Sequence, residues 1–196
     1  MSILLDAGPA LNFLAVGQQG VLLKAAQAQG LRLTAPERID REVLGMTNDR
    51  LFASTAALAT WKKLKANGHV HILSDDLTTV ALTDAVTRIS GMAAEQRIRS
   101  AKSLGEIMVL AHASVFVHNG IDVVVLIDEQ DGRQRARLEQ DRLARTGAPG
   151  ALVLWSTRQV LKQADPAWLA DGLSWEQVYN RMRPFDAGLA PLASRT

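Results

Sequence analysis

The stretch Val123-Val124-Val125-Leu126-Ile127-Asp128-Glu129-Gln130-Asp131-Gly132 decides how the fold is read. Five consecutive apolar residues, mostly β-branched, predict a strand buried on both faces, as in the interior of a parallel sheet. The run then stops on three acids within four positions. In an open α/β sheet, ligands bind where strands exit toward helices. Asp128 is therefore expected at the rim of a crevice. The functional question is which other carboxylates reach the same edge.

Upstream, Ile3-Leu4-Leu5 reads as a short strand closed by Asp6, and Ala7-Gly8-Pro9 leads into a helix that proline can open. A second helix is expected from Val21 to Gln29, then a strand at Leu31–Thr34 and a helix starting at Ala35-Pro36. On that helix Glu42 lies beside the apolar stripe of Ile39 and Val43, one turn after Arg38, which makes an ion pair the simplest local role. Asp49 to Asn67 predicts one longer helix capped by Asp49, followed by a strand at Val70–Leu73. His69 and His71 alternate onto one face of that strand. Without a third ligand nearby they read as edge-strand residues rather than a metal pair.

The charged segment from Ser90 to Lys102 predicts a solvated helix or mobile loop. Ser103-Leu104-Gly105-Glu106 then opens a helix that is apolar nearly all round and should be deeply buried. Ser103 and Glu106 fit a capping box, and Glu106 equally fits a carboxylate serving a metal. Beyond the opening stretch, Gly132 to Thr146 predicts a charged helix capped by Asp131. A last strand through Leu152–Trp155 and a helix from Thr157 to Ala164 follow. Trp168, Trp175 and Tyr179 are expected on short helices, and the chain from Ala187 onward is expected to be loose.

Strands alternating with helices along the whole length predict an α/β fold: a mostly parallel central sheet flanked by helices on both faces. At 196 residues the chain is long enough for one well-buried domain, expected over residues 1–165. Residues 166–196 are expected to form a C-terminal extension packing on the domain or on a partner. No apolar run approaches the ~20 residues that span a bilayer. The start of the chain lacks a basic leader, so the expected compartment is the cytoplasm. The absence of cysteine excludes disulfides and thiolate metal sites. A net charge of +2 does not announce a nucleic-acid binder, but basic residues cluster at Lys62, Lys63 and Lys65 and along the helix carrying Arg133 and Arg137. No glycine-rich phosphate loop, nucleophile elbow or His-Glu-x-x-His motif is present.

What remains is a set of acids that follow strands or open helices: Asp6, Glu42, Glu106, Asp128 and Asp131. The order of their motifs resembles that of the PIN-domain ribonucleases. Ile3-Leu4-Leu5-Asp6-Ala7-Gly8-Pro9-Ala10-Leu11-Asn12 looks like the strand that delivers the family's first catalytic aspartate. Thr34-Ala35-Pro36 through Arg41-Glu42-Val43 resembles its second element, Leu104-Gly105-Glu106 its third, and Leu126-Ile127-Asp128 with Asp131 its fourth. Gly8 and Lys102 depart from the commoner residues at their places. The resemblance implies a three-layer PIN-like sandwich and hydrolysis of RNA with Mg2+ or Mn2+. It further implies a homodimer and, for a toxin of the VapC kind, a small antitoxin protein as partner. Asp6, Glu106 and Asp128 would be the metal ligands, with Glu42 completing the set together with Asp131, chosen over Glu129 because it opens the helix at the sheet edge. Lys62, Lys63, Lys65, Arg133 and Arg137 would hold the RNA backbone.

Electrostatics argues for a cation on separate grounds. Two like charges ~4 Å apart repel by about 4 kcal/mol at an effective dielectric of ~20, so four clustered carboxylates must take up protons or a hard divalent ion. Two other readings compete. A catalytically silent PIN-like module would bind RNA or protein without cleavage. A haloacid-dehalogenase-like phosphatase needs an aspartate two residues after the first, where this chain has Gly8.

Overall fold

The computed structural model describes residues 1–46 and 49–192. Strand β1 (Ser2–Leu5) leads to helices α1 (Ala7–Ala15) and α2 (Gln19–Ala28), then to β2 (Arg32–Pro36) and α3 (Glu37–Met46). Helices α4 (Arg50–Ala53) and α5 (Ala57–Ala66) precede β3 (Val70–Leu73). Next come α6 (Val80–Ser90), α7 (Ala94–Arg97) and α8 (Leu104–His118). The chain continues through β4 (Val123–Leu126), α9 (Gln130–Arg145), β5 (Leu152–Trp155), α10 (Thr157–Gln163) and α11 (Trp175–Met182).

The five strands form one all-parallel sheet in the order β3-β2-β1-β4-β5, flanked by helices as expected. β1 and β4 are neighbours although most of the helices separate them in sequence, and Leu5 lies opposite Leu126. The chain winds outward on one side of β1 and returns to build the other side from β4. This makes the β1–β4 junction the topological switch point, where an α/β sheet leaves a crevice beyond its strand ends. Ile3, Leu4, Leu5, Val125, Leu126 and Ile127 are fully buried, which accounts for unbroken apolar runs in place of alternation.

Helix α8 owes its apolar surface to contacts on two sides. It lies across β1, β2, β4 and β5. Ile107, Met108 and Ala111 also pack with Leu82, Ala85, Val86 and Ala94 in a second, smaller core shared with α6 and α7. A buried polar knot ties α6, α8 and α9 together: Glu139 accepts from Arg88 and from Arg142, and both arginines donate to Ser114.

Several boundaries differ from those expected. Pro36 ends β2, paired with Leu73 of β3, and α3 starts at Glu37. The expected helix over residues 49–67 is two helices. Asp49 caps the first through Leu51 N, and Thr55 breaks the chain by donating to Phe52 O and accepting from Ala57 N. Such a side chain satisfies backbone groups that a continuous helix would have paired internally. The segment 90–102 contains α7 and the buried Arg97, whose guanidinium donates to the carbonyls of Ser100 and Lys102. Residues 187–192, expected to be loose, are anchored: Leu189 is buried, Arg183 Nε donates to its carbonyl, and the Tyr179 hydroxyl donates to Ala190 O. Residues 193–196 of that expected loose end lie outside the described residues. β3 is an edge strand and His71 on it is exposed, in keeping with the reading of that histidine.

Candidate functional site

Beyond the ends of β1 and β4 lies a crevice of about 700 Å3. Asp6, Glu42, Glu106, Asp128, Glu129 and Asp186 line it, with Lys102 at its margin. Four of the five acids expected from sequence are thus brought to one place. Asp131 is exposed in the first turn of α9 and does not line the crevice. Glu129, one residue before α9, stands there in its stead.

Each acid is placed by a nameable contact. Asp6 immediately follows β1, and its backbone N–H donates to Leu126 O at 3.1 Å, which locks the two strand ends together. Asp128 is held by Thr157 at the start of α10, whose backbone N–H donates to Oδ1 at 2.9 Å and whose hydroxyl donates to Oδ2. Glu42 receives Arg38 Nε at 2.7 Å, the local ion pair expected one helical turn apart. Glu106 does not form the capping box: Ser103 adopts a left-handed backbone (φ 52°) and makes no side-chain cap. The turn at Ser103, with Arg97 gripping Lys102 O, instead points the first turn of α8 at the crevice.

Two glycines make room for this packing. A methyl group on Gly105 would come within 2.5 Å of Glu42 Oε2 and 2.8 Å of Ile39 Cδ1. One on Gly132 would overlap Ile127 Cδ1 and stand 3.1 Å from Glu106 Cδ. Gly132→Ala should therefore displace Glu106 and cost about 1–3 kcal/mol by overpacking, read as a lower thermal midpoint in calorimetry. An unchanged midpoint would show that the α8–α9 contact is loose.

Burial dominates the electrostatics. Asp6 is pushed up to about 7, chiefly by desolvation, opposed by a hydrogen bond from Ala7 N–H and reinforced by Glu42, Asp128 and Glu129. Glu106 is pushed up to about 8, again first by desolvation, then by the Glu129 carboxyl within hydrogen-bond reach of it. Asp128 is also raised by burial, against the two hydrogen bonds from Thr157. Glu106 Oε2 is buried and has no hydrogen-bond partner. Buried oxygens are almost always satisfied, so an orphan beside other acids marks a place where a proton or a cation belongs.

The basic residues expected to hold RNA do not line the crevice. Lys62, Lys63 and Arg137 are exposed. Lys65 is paired with Asp40 at 2.6 Å, which also accepts from Trp61 Nε1. Arg133 donates to Ile127 O at 2.9 Å and Trp155 O at 3.0 Å, bridging the ends of β4 and β5. Among the described residues that line the crevice the cation is Lys102, which in the sequence stands out only as a departure from the commoner residue. Sequence reasoning also misses Asp186, which Asn12 Nδ2 binds at 2.7 Å from 174 positions away. Gly8 lies beside it: a methyl group there would stand 3.4 Å from Asp186 Oδ2, an ordinary contact.

The oxygen-only donor set suits Mg2+ or Mn2+. Among the described residues, no group of three or more His, Cys, Asp or Glu side chains stands close enough to hold a metal ion directly. An open arrangement is compatible with magnesium, which keeps several waters and uses one or two protein carboxylates together with substrate phosphate. Comparison with family models, curated proteins and solved structures found no match for the chain. Among the described residues, no helix is long and apolar enough to cross a membrane.

Proposed function

We propose that this chain is a Mg2+- or Mn2+-dependent endoribonuclease of the PIN type, hydrolysing RNA phosphodiester bonds at the carboxylate crevice. One observation carries the reading: Asp6, Glu106 and Asp128 meet at the switch point of a parallel sheet, with an unpartnered buried oxygen on Glu106. Bare carboxylates there would repel a phosphodiester. Asp6, Glu106 and Asp128 would hold a divalent ion there, in part through its waters, and the ion would supply positive charge for the scissile phosphate and make a bound water more acidic.

The chain's own residues do the remainder. Thr157 fixes the Asp128 carboxylate, and Arg38 fixes Glu42. Glu106, pushed up to about 8 beside the Glu129 carboxyl, can hold or release a proton within the crevice. Lys102 offers a cation to the RNA backbone, a contact that positions without reading sequence. The toxin role, an antitoxin partner and pairing with a second copy belong to the same proposal and rest on the family resemblance.

The deciding experiment incubates purified protein with labelled RNAs in Mn2+ and then adds excess chelator. Cleavage that stops on chelation is expected. Lys102→Ala should raise KM roughly tenfold with little change in kcat, since it removes a backbone contact. No chelator-sensitive cleavage on several unrelated RNAs would leave the catalytically silent binding module as the better account.

A further inference from the structure

A second cavity, of about 460 Å3, opens beside the acidic crevice. Leu11, Asn12, Met46, Phe52, Phe185 and Asp186 line it, and it shares Gly8, Glu42 and Asp186 with the crevice. Its walls are mainly apolar. The Phe52 and Phe185 rings stand with centroids 5.3 Å apart, tilted by 38°. The volume lies within the roughly 300–1,000 Å3 typical of small-molecule sites.

Its polar groups have a definite character. Asn12 is almost completely buried, and its Nδ2 donates to Asp186 Oδ2, which fixes the amide orientation. Asn12 Oδ1 is thereby left buried without a partner. Asp186 Oδ1 accepts from Gly188 N at 2.8 Å. A carboxylate oxygen has two acceptor positions, so each oxygen of Asp186 keeps one. Acceptors dominate this wall, and none of its side chains is a cation.

We propose that this cavity receives the base next to the scissile phosphate, and that the base is guanine. The adjacency to a phosphate rests on the nuclease reading; the base preference rests on the cavity alone. Single-stranded RNA is recognised by splayed bases that stack on aromatic side chains and hydrogen-bond along their edges. Guanine carries two neighbouring donors, N1–H and the N2 amino group, which match the two remaining acceptor positions of Asp186. Adenine and cytosine place a ring acceptor beside the amino group. Uracil flanks its single N–H with carbonyls.

Titration of the metal-free protein with guanosine, inosine, adenosine, cytidine and uridine, followed by saturation-transfer NMR, tests the assignment. Guanosine should bind at least about tenfold more tightly than inosine, which lacks only the amino group, and than the other three. Asp186→Asn, which keeps an acceptor for Gly188 but turns a donor toward the base, should remove most of that preference. Phe185→Leu should weaken guanosine and inosine alike, by loss of stacking. Equal binding of all five nucleosides, no binding of guanosine, or a preference untouched by Asp186→Asn overturns the proposal. If Asp186→Asn does not fold, unchanged binding in Phe185→Leu overturns it. Neither metal nor cleavage enters this measurement. A protein that cleaves RNA but ignores guanosine loses the pocket and keeps the nuclease reading; one that binds guanosine but cleaves nothing does the reverse.

Discussion

Asp6→Asn should abolish cleavage and, at pH 8 without metal, make the protein more stable. The two effects share one cause. Asp6 is almost fully buried at the end of β1, and its carboxyl is pushed up to about 7 by desolvation and by Glu42, Asp128 and Glu129. Ionising it at pH 8 places a charge where folding alone would prefer none. Asparagine keeps the shape and an oxygen for the Ala7 N–H but never ionises. The stabilisation should be about 1–3 kcal/mol, or roughly 3–10 °C in the thermal midpoint of a chain this size. At about pH 3, below the ordinary value of 3.8, Asp6 is protonated in both the folded and the unfolded chain, and the variant and the parent should melt together. Activity should fall on the order of 10^3-fold, because on the proposed mechanism Asp6 is one of the carboxylates that would hold a cation against the reacting phosphate. A variant that cleaves normally removes Asp6 from the chemistry. One that melts earlier at every pH makes it a structural residue at the start of α1.

The metal-free protein should also lose stability as pH rises from about 4 to about 8. In the folded protein Asp6 and Glu106 titrate at about 7 and about 8, against ordinary values of 3.8 and 4.5. Between those limits the folded chain holds protons that the unfolded chain has released. Stability then declines with pH, the reverse of a carboxylate held by a salt bridge. A tenfold difference in proton affinity between folded and unfolded chain is worth about 1.4 kcal/mol. Asp6 therefore sets an upper bound of about 4 kcal/mol, of which relaxation and water penetration should leave about 2. Below the window both states are protonated, and above it both are ionised, so the slope vanishes at either end. Calorimetry across the window in chelator should show the fall. Adding Mn2+ at pH 8 should restore about 2.7 kcal/mol at a hundredfold excess over its dissociation constant. A flat profile in chelator would mean that the acids are solvated and that the crevice does not hold them away from water.

The parts of this architecture legible in the sequence are those fixed by local pattern. Interior parallel strands must be apolar on both faces, so Ile3–Leu5 and Val123–Ile127 stand out, and the acids closing them fall where strands end. Glu106 is ambiguous because a capping box and a crevice ligand look alike over four residues. The left-handed turn at Ser103 and the close approach of Gly132 decide between them, and the latter is a long-range contact. Asp131 and Glu129 differ by half a helical turn. The choice between them depends on where α9 begins, and it begins two residues earlier than its glycine suggests. Arg133 looks like a solvated cation because nothing in its sequence neighbourhood reveals the carbonyls of two strand ends. Asp186 is invisible for the same reason, being joined to Asn12 only by the folded path of the extension.

Helix α8 is gripped between the sheet and the small core shared with α6 and α7. The position of Glu106 along the axis of α8 therefore depends on packing outside the crevice as well as within it. Leu82 and Val86 pack against Ile107, Met108 and Ala111, so enlarging or trimming them should shift the helix and the acid it carries. The width of the acidic crevice is thus tuned partly from behind, by apolar residues that do not line it.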